Sequence, residues 1–285
     1  MTSFIILHYK NLKDTIECIE SINKIDGDKS IIVVDNNSTT KKEQEIILKY
    51  TEDLILLKEN MGFAKGNNEG CKYAIKKYHP DFLCIINNDI IIEQQDFCKK
   101  VTNDYEKYEF DALGPKILTD GGDSVNPFKT YDTIKEINSE IKKCKRKIRI
   151  FSSKTLSIIY KFLSNIKHLI IRKQIKFENG KSMQFDVSLH GCAIIFSRKY
   201  YEKFDDVFYN NTFLYHEEEF LSLRRDKYKL NFMYDPYLEV FHKESASVNN
   251  EYKNNREKIV FRNNERLKSL ILLKGMRYND ETKNN

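Results

Sequence analysis

Tryptophan is absent from this 285-residue chain, and proline (4) and glycine (10) are scarce. So few breakers exclude a collagen-like or low-complexity chain, and 40% hydrophobic with 12% aromatic residues excludes wholesale disorder. There is no run of about 18 uncharged apolar residues, so no spanning helix is expected. The opening Met1-Thr2-Ser3-Phe4 lacks the basic leader and cleavage site of a signal peptide, and the chain reads as cytosolic. No C-x-x-C pair occurs among Cys18, Cys71, Cys84, Cys98, Cys144 and Cys192. Their scatter argues against a zinc site or a small disulfide framework and reads as structural thiols in a reducing compartment. Neither G-x-G-x-x-G after the first strand nor G-x-x-x-x-G-K-[ST] is present, so hydride transfer and ATP hydrolysis lose their sequence support.

What the chain does have is alternation. Phe4 to Leu7, Ile31 to Val34, Leu54 to Leu57 and Phe82 to Ile86 read as strands; Asp14 to Asn23, Lys42 to Tyr50 and Ala64 to Tyr78 read as helices between them. Asp14, and Ser38 or Thr39, are placed to cap the first two helices. This pattern predicts an α/β fold with a mainly parallel central sheet flanked by helices, Rossmann-like in layout. Ligands collect outside the carboxyl ends of such strands. The residues there are polar: His8-Tyr9-Lys10-Asn11, Asp35-Asn36-Asn37-Ser38, Glu59-Asn60-Met61-Gly62-Phe63 and Asn87-Asn88-Asp89. Turn chemistry explains any one of these segments; four at one rim point to a site.

Charge is unevenly spread. Lys135 to Lys176 holds thirteen Lys or Arg against Glu136 and Glu140, a surplus of +11 in a chain of net +6, which leaves −5 elsewhere. Within it, Leu156, Ile159, Phe162, Leu163, Ile166, Leu169 and Ile170 recur at helical spacing over Phe151 to Phe177. A basic amphipathic helix suits an anionic membrane surface; a helix packed on the body with a solvated cationic face gives the same pattern. Aromatics are not interleaved with the charges, so nucleic acid is not expected as a partner. The chain divides into residues 1–118, 119–184 (inserted basic helical segment), 185–248 and 249–285 (helical extension).

Several blocks together resemble one family. They are Tyr9 with Asn11; Val33-Val34-Asp35-Asn36-Asn37-Ser38; Glu59 through Asn68; Asn87-Asn88-Asp89; His190-Gly191-Cys192-Ala193; Phe213-Leu214-Tyr215-His216-Glu217-Glu218; and Val240-Phe241-His242. In order and spacing these resemble the family-2 inverting glycosyltransferases, of the A-type nucleotide-diphospho-sugar transferase fold. The likeness is to the rhamnosyltransferase-like branch of bacterial surface-polysaccharide synthesis and covers about two-thirds of the chain.

The resemblance implies sugar transfer from a nucleoside-diphosphate sugar to a glycan or lipid-linked glycan, with residues 1–118 as the nucleotide-sugar-binding half and 185–248 as the acceptor and catalytic half of the same domain. The basic segment adds the expectation that the cytoplasmic enzyme is held peripherally at the inner membrane surface. The resemblance also implies Mn²⁺ or Mg²⁺ on Asp89, in a motif Asn87-Asn88-Asp89 that departs from the family's Asp-X-Asp, with His242 approaching the same ion or the diphosphate. Ordinary backbone hydrogen bonding is the other reading of His242. Tyr9, Asp35, Asn37, Asn60, Gly62, Phe63, Asn67, Asn88 and Gly191 fall at nucleotide- and sugar-binding positions; for Asp35 a helix cap is the other reading. Glu217 and Glu218 are the candidates for the general base, and repulsion among Glu217, Glu218 and Glu219 can raise one pKa toward a useful value. Glu218 takes the place of the family's aspartate with one more methylene. Tyr209 and Tyr215 could offer a sugar an apolar face. A sugar-phosphate nucleotidyltransferase uses a similar sheet but typically opens with a glycine-rich phosphate loop. A scaffold binding RNA or acidic partners through the basic segment is the non-enzyme alternative.

Overall fold

The computed structural model describes residues 1–122, 125–131, 133–160, 182–243 and 254–283, with side chains to 278. Two compact units result: Met1–Thr130, Asn179–Phe213 and Glu217–Ser245 form the first; Tyr131–Glu178, Leu214–His216 and Ala246–Asn285 form the second.

In the first unit, β1 (Thr2–His8), β2 (Lys29–Asp35), β3 (Asp53–Leu56) and β4 (Phe82–Asn87) lie parallel in the order β3-β2-β1-β4. Their apolar runs are buried on both faces: Phe4 and Ile6 join one core cluster and Ile5 joins the other, as a period of two requires. Between them run α1 (Leu12–Asn23), α2 (Lys41–Ile47) and α3 (Gly62–Tyr78). The caps sit elsewhere than the sequence suggests. Asn11, not Asp14, caps α1, because Asp14 lies inside the first turn and gives its N–H to the Asn11 side chain. Thr40, not Ser38 or Thr39, caps α2 in a capping box with Glu43, since Ser38 and Thr39 are engaged by Asp35.

The sheet continues through β5 (Ile90–Ile91), α4 (Phe97–Tyr108), β6 (Ala112–Leu118), β7 (Gln184–Phe185), β8 (Ala193–Ser197), α6 (Arg198–Tyr201), α7 (Glu217–Tyr228) and β9 (Phe232–His242). The full order is β3-β2-β1-β4-β8-β6-β9-β5, with β7 on β9. The long ladders are parallel, while β8 runs antiparallel to β4 and β6. β8 therefore starts at the edge where β1, β2 and β4 end, and chain order reverses between β1 and β4, the switch point where open α/β sheets bind ligands.

All six cysteines are buried and free. Burial pushes the thiols of Cys18, Cys71 and Cys84 well up, so they stay protonated.

In the second unit α5 (Ile134–Ser152) packs with α8 (Asn255–Lys283). A capping box of Thr133 and Glu136 starts α5, and Ile137, Cys144 and Phe151 form its buried stripe. Arg266 of α8 reaches Glu140 at 3.5 Å. Residues 154–160 are also helical, but Leu156 and Ile159 of the expected apolar stripe are exposed; the rest of that stripe lies outside the described residues. Among the described residues no helix is long and apolar enough to cross a membrane.

Candidate active site

The rim is built by strand ends. Asp35 at the end of β2 is buried, and both of its carboxylate oxygens are engaged: Oδ1 accepts from Ser38 N–H (2.9 Å) and hydroxyl (3.1 Å), Oδ2 from the Thr39 hydroxyl (2.6 Å). It thus shapes the turn that presents Asn37, exposed and left-handed at φ 57°. Beside it in register stands His8, whose Nδ1 lies 2.6 Å from the Thr15 hydroxyl. Burial lowers the His8 pKa, against the opposing pull of Asp35 and Glu43. Tyr9 follows, its ring under the Lys10 ammonium at 4.8 Å.

The start of α3 closes onto a distant segment. Gly62 has φ +78°, and a Cβ there would lie 2.1 Å from the Phe213 carbonyl oxygen. Phe63 N–H donates to that same oxygen at 2.8 Å. Asn60 Oδ1 accepts from Gly62 N–H (3.0 Å), Asn36 accepts from Met61 N–H (2.8 Å), and the Asn36 amide donates to Gly62 O (3.1 Å). Asn67 is fully buried, donating to Phe63 O at 3.0 Å while its Oδ1 has no protein partner. In this arrangement Asn67 supports the loop from beneath and is not on its surface. Asn68 exchanges two hydrogen bonds with the Phe208 backbone, both 2.9 Å, which fixes the approach to α7.

Asn87 N–H donates to Cys192 O at 2.9 Å, just beyond the last pair of the β4–β8 ladder, which sets the turn leading into β8 beside the end of β4. Gly191 N–H donates to Glu218 Oε1 at 3.0 Å, and a Cβ on Gly191 would lie 3.7 Å from the Phe63 ring. Glu217 and Glu219 are buried, whereas Glu218 is half-exposed. Two consecutive left-handed residues, Tyr215 (φ 72°) and His216 (φ 71°), precede them; neither is glycine, so the turn stores backbone strain. Tyr209 stacks on Phe220 at 4.7 Å.

Asp89 follows β4, buried, with Oδ1 at 3.2 Å from His242 Nε2. The pairing of Ile90 with His242 brings the two together. Asn88 turns its amide to the Thr15 hydroxyl (3.0 Å) and Asn11 O (3.4 Å). Lys243 reaches Asp14 at 3.2 Å and also pairs with Glu17. No group of three or more His, Cys, Asp or Glu gathers among the described residues. One carboxylate oxygen and one imidazole nitrogen meeting at the rim nevertheless suit a divalent ion whose other ligands come from phosphate and water.

Asn36 and Phe213 enter the sequence reading only as members of longer blocks, without a role of their own, and Lys243 does not enter it. Asn36 stands between two residues of the same turn type; Phe213 and Lys243 act through contacts 150 and more residues distant in the chain, for which no local signal exists.

A parallel half-sheet with polar residues at its switch point is the layout in which open α/β sheets bind ligands. The family described as "Glycosyl transferase family 2" matches residues 3–179, and the chain belongs to that family; it is a glycosyltransferase. No curated protein matches it. Among solved structures it is similar to S. aureus TarS 1-349, at 14% identity and TM-score 0.51, over 91% of this chain and 69% of that one. The same TarS fragment in complex with UDP gives 16% and 0.53 over the same shares. The longer TarS structure gives 15% and 0.52 over 90% of this chain and 41% of that one. These likenesses show the mixed α/β fold with its central sheet flanked by helices.

Proposed function

We propose that this glycosyltransferase moves a sugar, with inversion, from a nucleoside-diphosphate sugar to a hydroxyl of a glycan or lipid-linked glycan in surface-polysaccharide synthesis. The observation that carries the reading is the hydrogen bond from Gly191 N–H to Glu218, which ties a half-exposed carboxylate to the turn that enters β8, the strand paired with β4. Glu218 acts as the general base, taking the proton from the acceptor hydroxyl as it attacks the anomeric carbon. Gly191 orients that carboxylate through its N–H. Glu217, buried, supports the start of α7.

Tyr9, Asn37, Asn60 and Phe63 border the nucleotide, with Asp35, Gly62 and Asn67 setting the backbone that meets it and Asn88 setting the turn before Asp89. Asp89 and His242 would hold Mn²⁺ or Mg²⁺. A divalent ion there, when bound, neutralises charge on the departing diphosphate. Support for a nucleoside-diphosphate donor comes from the similar TarS fold, crystallised in complex with UDP.

A peripheral role at an anionic membrane fits the second unit. Lys135, Lys142, Arg146 and Arg149 are exposed on α5 and recur at seven-, four- and three-residue steps, one row opposite the stripe of Ile137, Cys144 and Phe151.

Thermal shift against a panel of nucleotide sugars, with and without Mn²⁺, tests the donor reading. One donor at about 100 times its Kd is expected to add about 2.7 kcal/mol and raise the Tm by several degrees. A panel in which none shifts the transition would refute it.

A further inference from the structure

The residues assigned to the cation are held by their chain neighbours, and both neighbours bind the first turns of the same helix. Asn88, before Asp89, donates to Thr15 and to Asn11 O. Lys243, after His242, gives its backbone N–H to Asp89 O at 3.1 Å. Its ammonium pairs with Asp14 Oδ1 at 3.2 Å and with Glu17. Asp14 is itself buried and receives the Asn11 amide. Burial works against the Lys243 charge, but its hydrogen bonds to Glu17 and Asp14 hold the ammonium above its ordinary pKa. The β6 ladder holds β9 as far as Leu118↔Phe241 and stops one residue short of His242, whose ladder partner is Ile90 of the two-residue edge strand β5. An edge pair on one side alone fixes that residue weakly.

We propose that Lys243 is a positioning residue, clasping the end of β9 to the Asp14–Glu17 face of α1 so that the His242 imidazole stays against Asp89. The inference rests on the reading of Asp89 and His242 as the cation pair. A clasp and a simple charge effect predict opposite signs. Removing a cation beside two carboxylates makes the local potential more negative, which by Coulomb attraction alone would tighten divalent-ion binding. Losing the clasp frees His242 and weakens binding, as loss of an orienting neighbour of a ligand does, by about 10- to 100-fold.

The test titrates Mn²⁺ alone against the full chain and follows the free-ion signal by electron paramagnetic resonance. Wild type, Asp89→Asn, Lys243→Met and Lys243→Arg are compared, with folding checked by circular dichroism. Expected are loss of Mn²⁺ binding in Asp89→Asn, a weakening of at least ~10-fold in Lys243→Met, and recovery to within ~3-fold in Lys243→Arg. In turnover assays, Lys243→Met is expected to need more Mn²⁺ for half-maximal rate while regaining most of its rate at saturation. Unchanged or tighter binding in Lys243→Met, with Asp89→Asn impaired, overturns the clasp and leaves the cation reading standing. Unimpaired binding in Asp89→Asn overturns that reading and the clasp with it. Should Lys243→Met fail to fold, Glu17→Gln removes one partner, and a Mn²⁺ affinity equal to wild type in that variant also overturns the clasp.

Discussion

At the scale of single residues, two glycines of the site make opposite demands. A Cβ on Gly62 would meet the Phe213 backbone oxygen at 2.1 Å, and the position is left-handed, so Gly62→Ala has nowhere to go. A left-handed L-residue and an overpacked contact each cost about 1–2 and 1–3 kcal/mol. Chemical denaturation should therefore show a loss of at least ~2 kcal/mol. On Gly191 the atom in the way is Glu218 Oε1 at 3.1 Å, the tip of a flexible side chain. Gly191→Ala is expected to melt near wild type while transfer falls at least ~10-fold, because it displaces the carboxylate proposed as the base. An equal loss of stability in both variants would contradict this contrast. Glu218→Gln keeps the shape but cannot take a proton, so kcat should drop by about 10²–10⁴-fold with donor affinity retained. If Glu217→Gln gives that phenotype instead, the roles of the two glutamates exchange.

At the scale of elements, the packing of α4 on β9 carries a pH dependence. Burial and the neighbouring Asp235 push the Asp104 carboxyl from its ordinary 3.8 up to about 7. A raised acid binds its proton more tightly in the folded chain, so its contribution to stability is present below about pH 4 and is lost as pH rises through about 7. Asp104→Asn should flatten that fall and raise the Tm at pH 8 by a few degrees; an unchanged pH profile would refute it.

The same strand shows where the sequence stopped being legible. The parallel strands β1 to β4 were readable within a residue or two because their apolar runs lie between turn residues, and α1 and α3 because their apolar residues recur at helical spacing over three turns or more. β6 and the first half of β9 were not, because Pro115 and Pro236 interrupt them, and the structure absorbs both at one irregularity where Pro115 pairs with Asp235 and Lys116 already pairs with Glu239. α5 was legible only as part of the basic helical segment 119–184, without bounds or a buried face, because its buried residues are spread thinly among lysines and arginines. At the site, the polar strand ends were visible as composition, while the contacts that aim them, Phe213 to Gly62 and Lys243 to Asp14, depend on packing between distant segments.

At the scale of the whole molecule, the charge imbalance is the largest feature that the sheet does not explain. If the α5 row meets an anionic surface, replacing Lys142, Arg146 and Arg149 with Glu should lower partitioning onto phosphatidylglycerol vesicles at low salt by at least ~10-fold, at about 1 kcal/mol per cation removed. Wild-type binding should fall as salt shortens the screening length. Partitioning insensitive to both would argue against a membrane role. The account as a whole turns on the carboxylate that follows β4. Its most direct test is Mn²⁺-stimulated donor turnover by Asp89→Asn, measured beside its melting temperature. The expected result is a wild-type Tm with stimulated turnover reduced at least ~100-fold, about 2.7 kcal/mol of lost transition-state stabilisation; stimulated turnover close to wild type would contradict it.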